Sequence, residues 1–272
     1  MLAQRQLRLA VLGYASALTG EWVFTVALAV VAFRDGGAAG VGLVAVVRLL
    51  PSAVGAPFIS AFADRARRER VLAVVSVVRA AAIGGAALLL ALDAHRVFVY
   101  ALFVVATAAL SVFHPAHSAL VPLLCTTTAE LTSANVVCIF MESCATLAGP
   151  VLAGALLVWS GAGAVFAAAA LMSLVAATLF LRLRYDAPRS TEPAPRRRIV
   201  RDTLDGLRTV GRHRELRWLF GVGFAQTYTR GALNVFTVVI AFQLLGIGEP
   251  GVAALSAAVG VGGIIGSLGV SL

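Results

Sequence analysis

Eight apolar stretches, each about twenty residues or longer, limit this chain more than any other feature. They fall at 9–33, 41–63, 71–92, 97–124, 131–159, 162–181, 216–245 and 252–272. A bilayer core of about 30 Å is crossed by about 20 helical residues rising about 1.5 Å each. Within lipid, the backbone polar groups of such a segment must be satisfied by the segment itself, which selects the α-helix. Composition agrees: of the 272 residues, 60% are hydrophobic and 13% charged, against about 45–50% and about 25% in soluble domains. Mean hydropathy is +0.93. A soluble enzyme, a disordered tail and a disulfide scaffold are all excluded. The cysteines, Cys125, Cys138 and Cys144, form no CxxC pair, and their odd number does not fit a disulfide framework. The expected fold is an all-α polytopic membrane protein.

Charge placement sets the expected topology. Arg5 and Arg8 precede the first apolar run, and Ala15-Ser16-Ala17 looks like a signal-peptide cleavage site. The run continues well past Ala17, so an uncleaved first span is the reading. Every basic residue is arginine, and the net charge is +9. With the N-terminus inside, seventeen arginines fall in cytoplasmic segments and only Arg34 and Arg96 in outer loops. Such a bias orients membrane proteins. It predicts a multi-pass protein of the plasma (inner) membrane with both termini cytoplasmic. Between the sixth and seventh spans, Pro188, Pro193, Pro195 and Arg196-Arg197-Arg198 read as a linker. Val200, Leu204, Leu207 and Val210 then recur at the spacing of an amphipathic helix on the inner membrane surface. The basic stretch lacks stacking aromatics, so lipid is the expected partner and nucleic acid is not. The chain thus divides into a six-helix bundle (1–184), a basic linker (185–215) and two further helices (216–272).

Glu21, Arg48, Arg79, Glu142 and Arg230 lie within spans. A charge at a helix centre costs about 2.5–3.5 kcal/mol on insertion scales, so it faces a bundle interior or a watery cavity. Glu21 and Glu142, near the middles of the first and fifth spans, are candidates for proton coupling or for the substrate cavity, with Arg48 as a possible counter-charge. The alternative is a structural ion pair with an arginine. Ala145, Gly149 and Ala153 recur every four residues, as do Gly262 and Gly266, a pattern that lets helices approach closely. Pro150 should bend the fifth helix. His114-Pro115-Ala116-His117 has an HxxH look, but no carboxylate or cysteine cluster lies beside it and Pro115 interrupts the helix, so no metal is expected. No phosphate loop, nucleophile elbow or paired-aspartate motif is present. Neither an enzyme nor a cofactor is expected.

The stretch from Ser60 to Leu72, containing Asp64-Arg65-Ala66-Arg67-Arg68, resembles the G-x-x-x-D-R-x-G-R-R loop signature of the major facilitator superfamily. Asp64, Arg65 and Arg68 match; Ser60 and Arg67 stand where the signature has glycine. Ala145-x-x-x-Gly149-Pro150-x-x-Ala153-Gly154 is similar to the fifth-helix G-x-x-x-G-P-x-x-G-G pattern of the family's antiporters, with alanine at two glycine positions. Gly20-Glu21-Trp22, Phe113-x-Pro115-Ala116, Ser133-Ala134-Asn135 and Arg214 to Leu219 resemble segments of its drug- and siderophore-exporter-like branch. The resemblance implies two bundles of six helices around a central cavity, transport by rocking, and a small-molecule substrate. It also implies a cytoplasmic latch built on Asp64, Arg65 and Arg68, and export driven by a proton gradient. A twelve-helix parent with further C-terminal helices is expected, because 262–272 are still apolar where the chain stops. A non-transporting scaffold or truncated relic, and an uncoupled facilitator or importer, are the alternatives.

Overall fold

The computed structural model describes residues 2–63, 67–92, 94–184, 208–209 and 211–271, with 2–4, 48–63, 230, 234, 249 and 263–271 followed as backbone. Its elements are α1 (Leu2–Ala63), α2 (Arg68–Ala91), α3 (Arg96–Leu124), α4 (Thr128–Leu181), α5 (Arg214–Val239), a π-helical turn (Ile240–Leu244) and α6 (Gly248–Ser271). The expected linker and most of the expected amphipathic helix lie outside the described residues.

Two of these helices are too long to cross a bilayer once. At about 1.5 Å per residue, α1 with 62 residues and α4 with 54 would run about 93 and about 81 Å. Each is broken at glycine. In α1, Gly36 is non-helical with φ −152° and ψ 19°, and Gly37 has φ +59° and ψ −151°; in α4, Gly161 has φ +75° and ψ −178°. These positive-φ conformations are essentially restricted to glycine. The breaks divide α1 into arms 2–35 and 38–63 and α4 into arms 128–160 and 162–181. With α2, α3, α5 and α6 they give the eight rods read from the sequence. Nothing lies within 4 Å of a Cβ placed on Gly161 or Gly163, so substitution there tests backbone conformation alone. Gly161→Ala is expected to destabilise by about 1–3 kcal/mol. Gly163→Ala, inside regular helix, should stabilise by about 0.5–1 kcal/mol. Thermal unfolding in detergent, with opposite shifts of the midpoint, checks this.

The first arm of α1 runs through the middle of the bundle. Val23, Phe24, Val26, Ala27, Leu28, Val30, Val31 and Ala32 are all buried, as expected of a helix apolar on every side. Phe24, Phe103 and Phe166 meet at ring separations of 4.9–6.0 Å and tie this arm to α3 and α4. Ser16 donates to the Met172 carbonyl at 2.9 Å. Phe33 stacks on Phe242 of the π-helical turn at 4.3 Å. The outer surface is apolar, with Leu88, Val97, Phe98, Ile139 and Trp159 exposed, which suits lipid.

The N-terminus and the links of α1 to α4 sort to two poles. One cavity of about 930 Å³ gathers Arg5, Arg67, Glu69, Arg70, Thr126 and Arg184. It joins the N-terminus, the α1–α2 link, the α3–α4 link and the end of α4. At the other pole a cavity of about 260 Å³ gathers Arg34, Asp35, Ala91, Arg96 and Gly163, from the two glycine breaks and the α2–α3 link. This is the alternation read from the arginines. The α3–α4 link is short and closed by a cap: Thr127 Oγ1 accepts from the Glu130 N–H at 3.2 Å. Thr126 donates from its N–H and its hydroxyl, both at 2.8 Å, to the Glu130 carboxylate. These bonds, the Thr126 N–H foremost, hold Glu130 below the usual carboxylate range.

One expectation is corrected. Pro115 does not interrupt its helix; α3 continues through both Pro115 and Pro122. Neighbouring helices and local hydroxyls can re-satisfy backbone groups that a membrane proline frees. In α4, which contains Pro150, the non-helical backbone is at Gly161.

Candidate transport site

The first arm of α1 carries Glu21 at mid-span, and α2 brings Arg79 to meet it across 58 positions. Arg79 Nη2 donates to Glu21 Oε2 at 2.6 Å. Thr25, one turn along, donates to Oε1 at 3.3 Å. Arg79 is 1% exposed, and among the described residues its Nε and Nη1 have no hydrogen-bond partner. A buried charge is tolerable only when paired. The Glu21–Arg79 contact therefore fixes α1 against α2 as well as placing charge in the core.

Glu21 also faces open space. A cavity of about 250 Å³ lies between the first bundle and the last two helices, lined by Glu21, Trp22 and Thr25 on one side and by Gly231, Val235 and Ser256 on the other. The carboxylate therefore has the guanidinium behind it and a mostly apolar chamber in front.

Glu142 is half-buried on the first arm of α4. Among the described residues its carboxylate makes no hydrogen bond or ion pair, but its charge reaches Tyr14 and His114. Glu21 and Arg79 act on His114 as well. His117 is buried, stacks on Tyr14 at a ring separation of 4.0 Å and hydrogen-bonds the Ala10 backbone. The two histidines thus belong to an aromatic and electrostatic cluster on α1, α3 and α4. No group of three or more His, Cys, Asp or Glu among the described residues could hold a metal.

The small residues of the fifth span are buried where helices meet. Ala145 and Ala153 are at most 2% exposed, and Gly149, Pro150 and Gly154 are buried with them. A Cβ on Gly149 would collide with Trp22 and come within 3.2 Å of the Thr19 carbonyl oxygen. A Cβ on Gly154 would collide with that of Ala253 on α6. The first arm of α4 is thus wedged between α1 and α6.

The expected latch is only partly described. Asp64 and Arg65 lie outside the described residues, and Arg68 opens α2 half-buried. Beside it, Arg67 Nε contacts Glu69 Oε1 at 2.5 Å, and Glu69 is buried. This pair was not singled out from the sequence, although both residues stand in the signature stretch. Arg48 lies on helical backbone with its side chain outside the described residues. Among the described residues, a counter-charge that meets Glu21 is Arg79. It was legible as a charge inside a span, but nothing in its spacing pointed to Glu21.

The family model described as Major Facilitator Superfamily matches residues 10–272. The chain belongs to the Major Facilitator Superfamily. No curated protein and no solved structure matches it. As a member of this superfamily it is a multi-pass membrane transporter, and transporters of this kind bind small-molecule substrates within the membrane.

Proposed function

We propose that this superfamily member is a proton-driven exporter of small amphipathic compounds, in the drug- and siderophore-exporter-like branch. Its termini face the cytoplasm across the plasma membrane. One observation carries the reading: Glu21 presents a carboxylate to the inter-bundle chamber while Arg79 holds it from behind. An apolar chamber with one acid among its described lining residues accepts an apolar body bearing a cationic or hydrogen-bonding group. A proton or a substrate cation arriving at Glu21 competes with Arg79 for the same oxygens. The unused Nε and Nη1 donors give the guanidinium other bonds to make as the helices shift. Glu142, with no counter-ion among the described residues, is the second candidate for carrying the proton. Asp64, Arg65 and Arg68 form the cytoplasmic latch, and the close α1–α4–α6 contacts at Gly149 and Gly154 are the surfaces that rock.

The test is ethidium transport in proteoliposomes under an imposed pH gradient. Glu21→Gln or Glu142→Gln is expected to lower gradient-driven transport about tenfold or more, the worth of one charge-assisted contact. If neither changes the dependence on the gradient, the coupling role is wrong. The same assay on Asp64→Asn tests the latch, which does not survive an unchanged rate.

A further inference from the structure

A second cavity of about 250 Å³ opens beside the central chamber, toward the pole that holds the glycine breaks. Its lining includes Asp35, Gly40, Leu43, Val47, Tyr100 and Phe103. Ala32 and Val44 line both this slot and the chamber that holds Glu21. The two spaces are therefore separated by a wall one side chain thick, made where the arms of α1 cross. The crossing is close: a Cβ on Gly40 would come within 2.5 Å of the Ala32 carbonyl oxygen. Leu43 and Val47 are 64% and 44% exposed, so the slot opens on the outer surface of the described helices.

The polar end of the slot is specific. Asp35 and Tyr100 are its ionisable lining residues, and no cation lines it among the described residues. Tyr100 donates to Asp35 Oδ2 at 2.7 Å. Arg96 Nε approaches the same oxygen at 3.7 Å, a long contact by a half-exposed side chain, which solvent weakens. Both contacts fall on Oδ2, and among the described residues none falls on Oδ1. Arg34 and Arg96 line the neighbouring cavity on the far side of Asp35.

We infer that this slot is a second binding site, for a lipophilic cation, one wall beyond the central chamber. The match is in the chemistry: an apolar trough of Leu43, Val44, Val47 and Phe103 takes the body, and Asp35 Oδ1 takes the charge. Glu21 and Asp35 stand fourteen residues apart on one helix, about 21 Å, so the two carboxylates mark successive stations along the first arm of α1. Parting the α1 arms at Ala32 and Val44 joins the stations and gives the ligand a lateral way to lipid without crossing the arginine-rich pole. The site rests on the reading of the chain as a transporter of small amphipathic compounds, but its carboxylate is distinct from Glu21.

Equilibrium binding of tetraphenylphosphonium to the full chain in lipid nanodiscs, with empty nanodiscs subtracted, tests it. Binding is expected in two components. Asp35→Asn weakens the outer component about tenfold or more and spares the central one. Val47→Trp, at an exposed position, fills the slot without touching Asp35 and gives the same result. Glu21→Gln does the reverse. A single component, lost in Glu21→Gln and unchanged in Asp35→Asn and Val47→Trp, overturns the outer site and leaves the central reading standing. An outer component lost in Asp35→Asn, with no response to Glu21→Gln, keeps the outer site and overturns the central one. No binding above empty nanodiscs overturns both.

Discussion

Glu21→Leu is expected to destabilise the protein by about 3–5 kcal/mol, and adding Arg79→Met is expected to recover most of that loss. Removing the carboxylate strands a guanidinium that is 1% exposed and, among the described residues, already has two nitrogens without partners. Removing both charges, with side chains of similar length in their place, takes the stranded cation away and leaves apolar contacts between α1 and α2. The single substitutions should also be unequal. Arg79→Met leaves Glu21 facing the chamber, where the carboxyl can take up a proton or water. It should cost less than Glu21→Leu. Thermal unfolding of the four proteins in detergent gives the coupling energy directly. Additive losses would mean that the 2.6 Å contact contributes nothing to the fold. If the pair also carries transport, the stable double variant should be folded and inactive, which separates the chemical role from the structural one.

The rods and the poles were legible in the sequence because each rests on a strong local signal. Spans are set by length and apolarity, and the poles by arginine counts. Both glycine breaks fell in the expected outer loops. The Glu21–Arg79 pair was not legible: two charges 58 positions apart carry no mark of which will meet, and Arg48 was an equally good partner on paper. The Pro115 reading failed for a related reason. Proline removes one hydrogen bond, but whether the helix breaks depends on neighbours that are distant in sequence. The small-residue motif on the fifth span was readable as a packing signal. Its two opposed faces, Gly149 against α1 and Gly154 against α6, became visible only once the helices were placed. The seventh span shows the opposite limit. Trp218, Phe220, Phe224 and Tyr228 of α5 are all exposed, so an apolar stretch named a helix without saying what it packs against.

Exchanging a methyl group across the α4–α6 contact is the sharpest test of that seam. Gly154→Ala alone is expected to destabilise by about 1–3 kcal/mol and to depress transport. Its new Cβ meets the Cβ of Ala253, and neither atom can rotate away, since both are fixed directly on helical backbone. The helices must part, and the separation would be felt further along, where a Cβ on Gly260 would already lie 3.0 Å from the Thr146 carbonyl oxygen. Ala253→Gly alone removes the opposing methyl and weakens its helix by about 1 kcal/mol. The double variant, Gly154→Ala with Ala253→Gly, places one methyl in the contact, as the wild type does, but from the other side. It should regain most of the stability and transport lost by Gly154→Ala. Helix propensity predicts a different pattern, because alanine favours a helix interior over glycine; on propensity alone Gly154→Ala would be stabilising and the double variant neutral. Unfolding midpoints therefore distinguish a steric seam from a propensity effect by sign. A swap no better than Gly154→Ala would show that the glycine serves something other than close approach. If stability returns in the swap while transport does not, the seam moves during the cycle, because a static contact would be satisfied by a methyl from either helix.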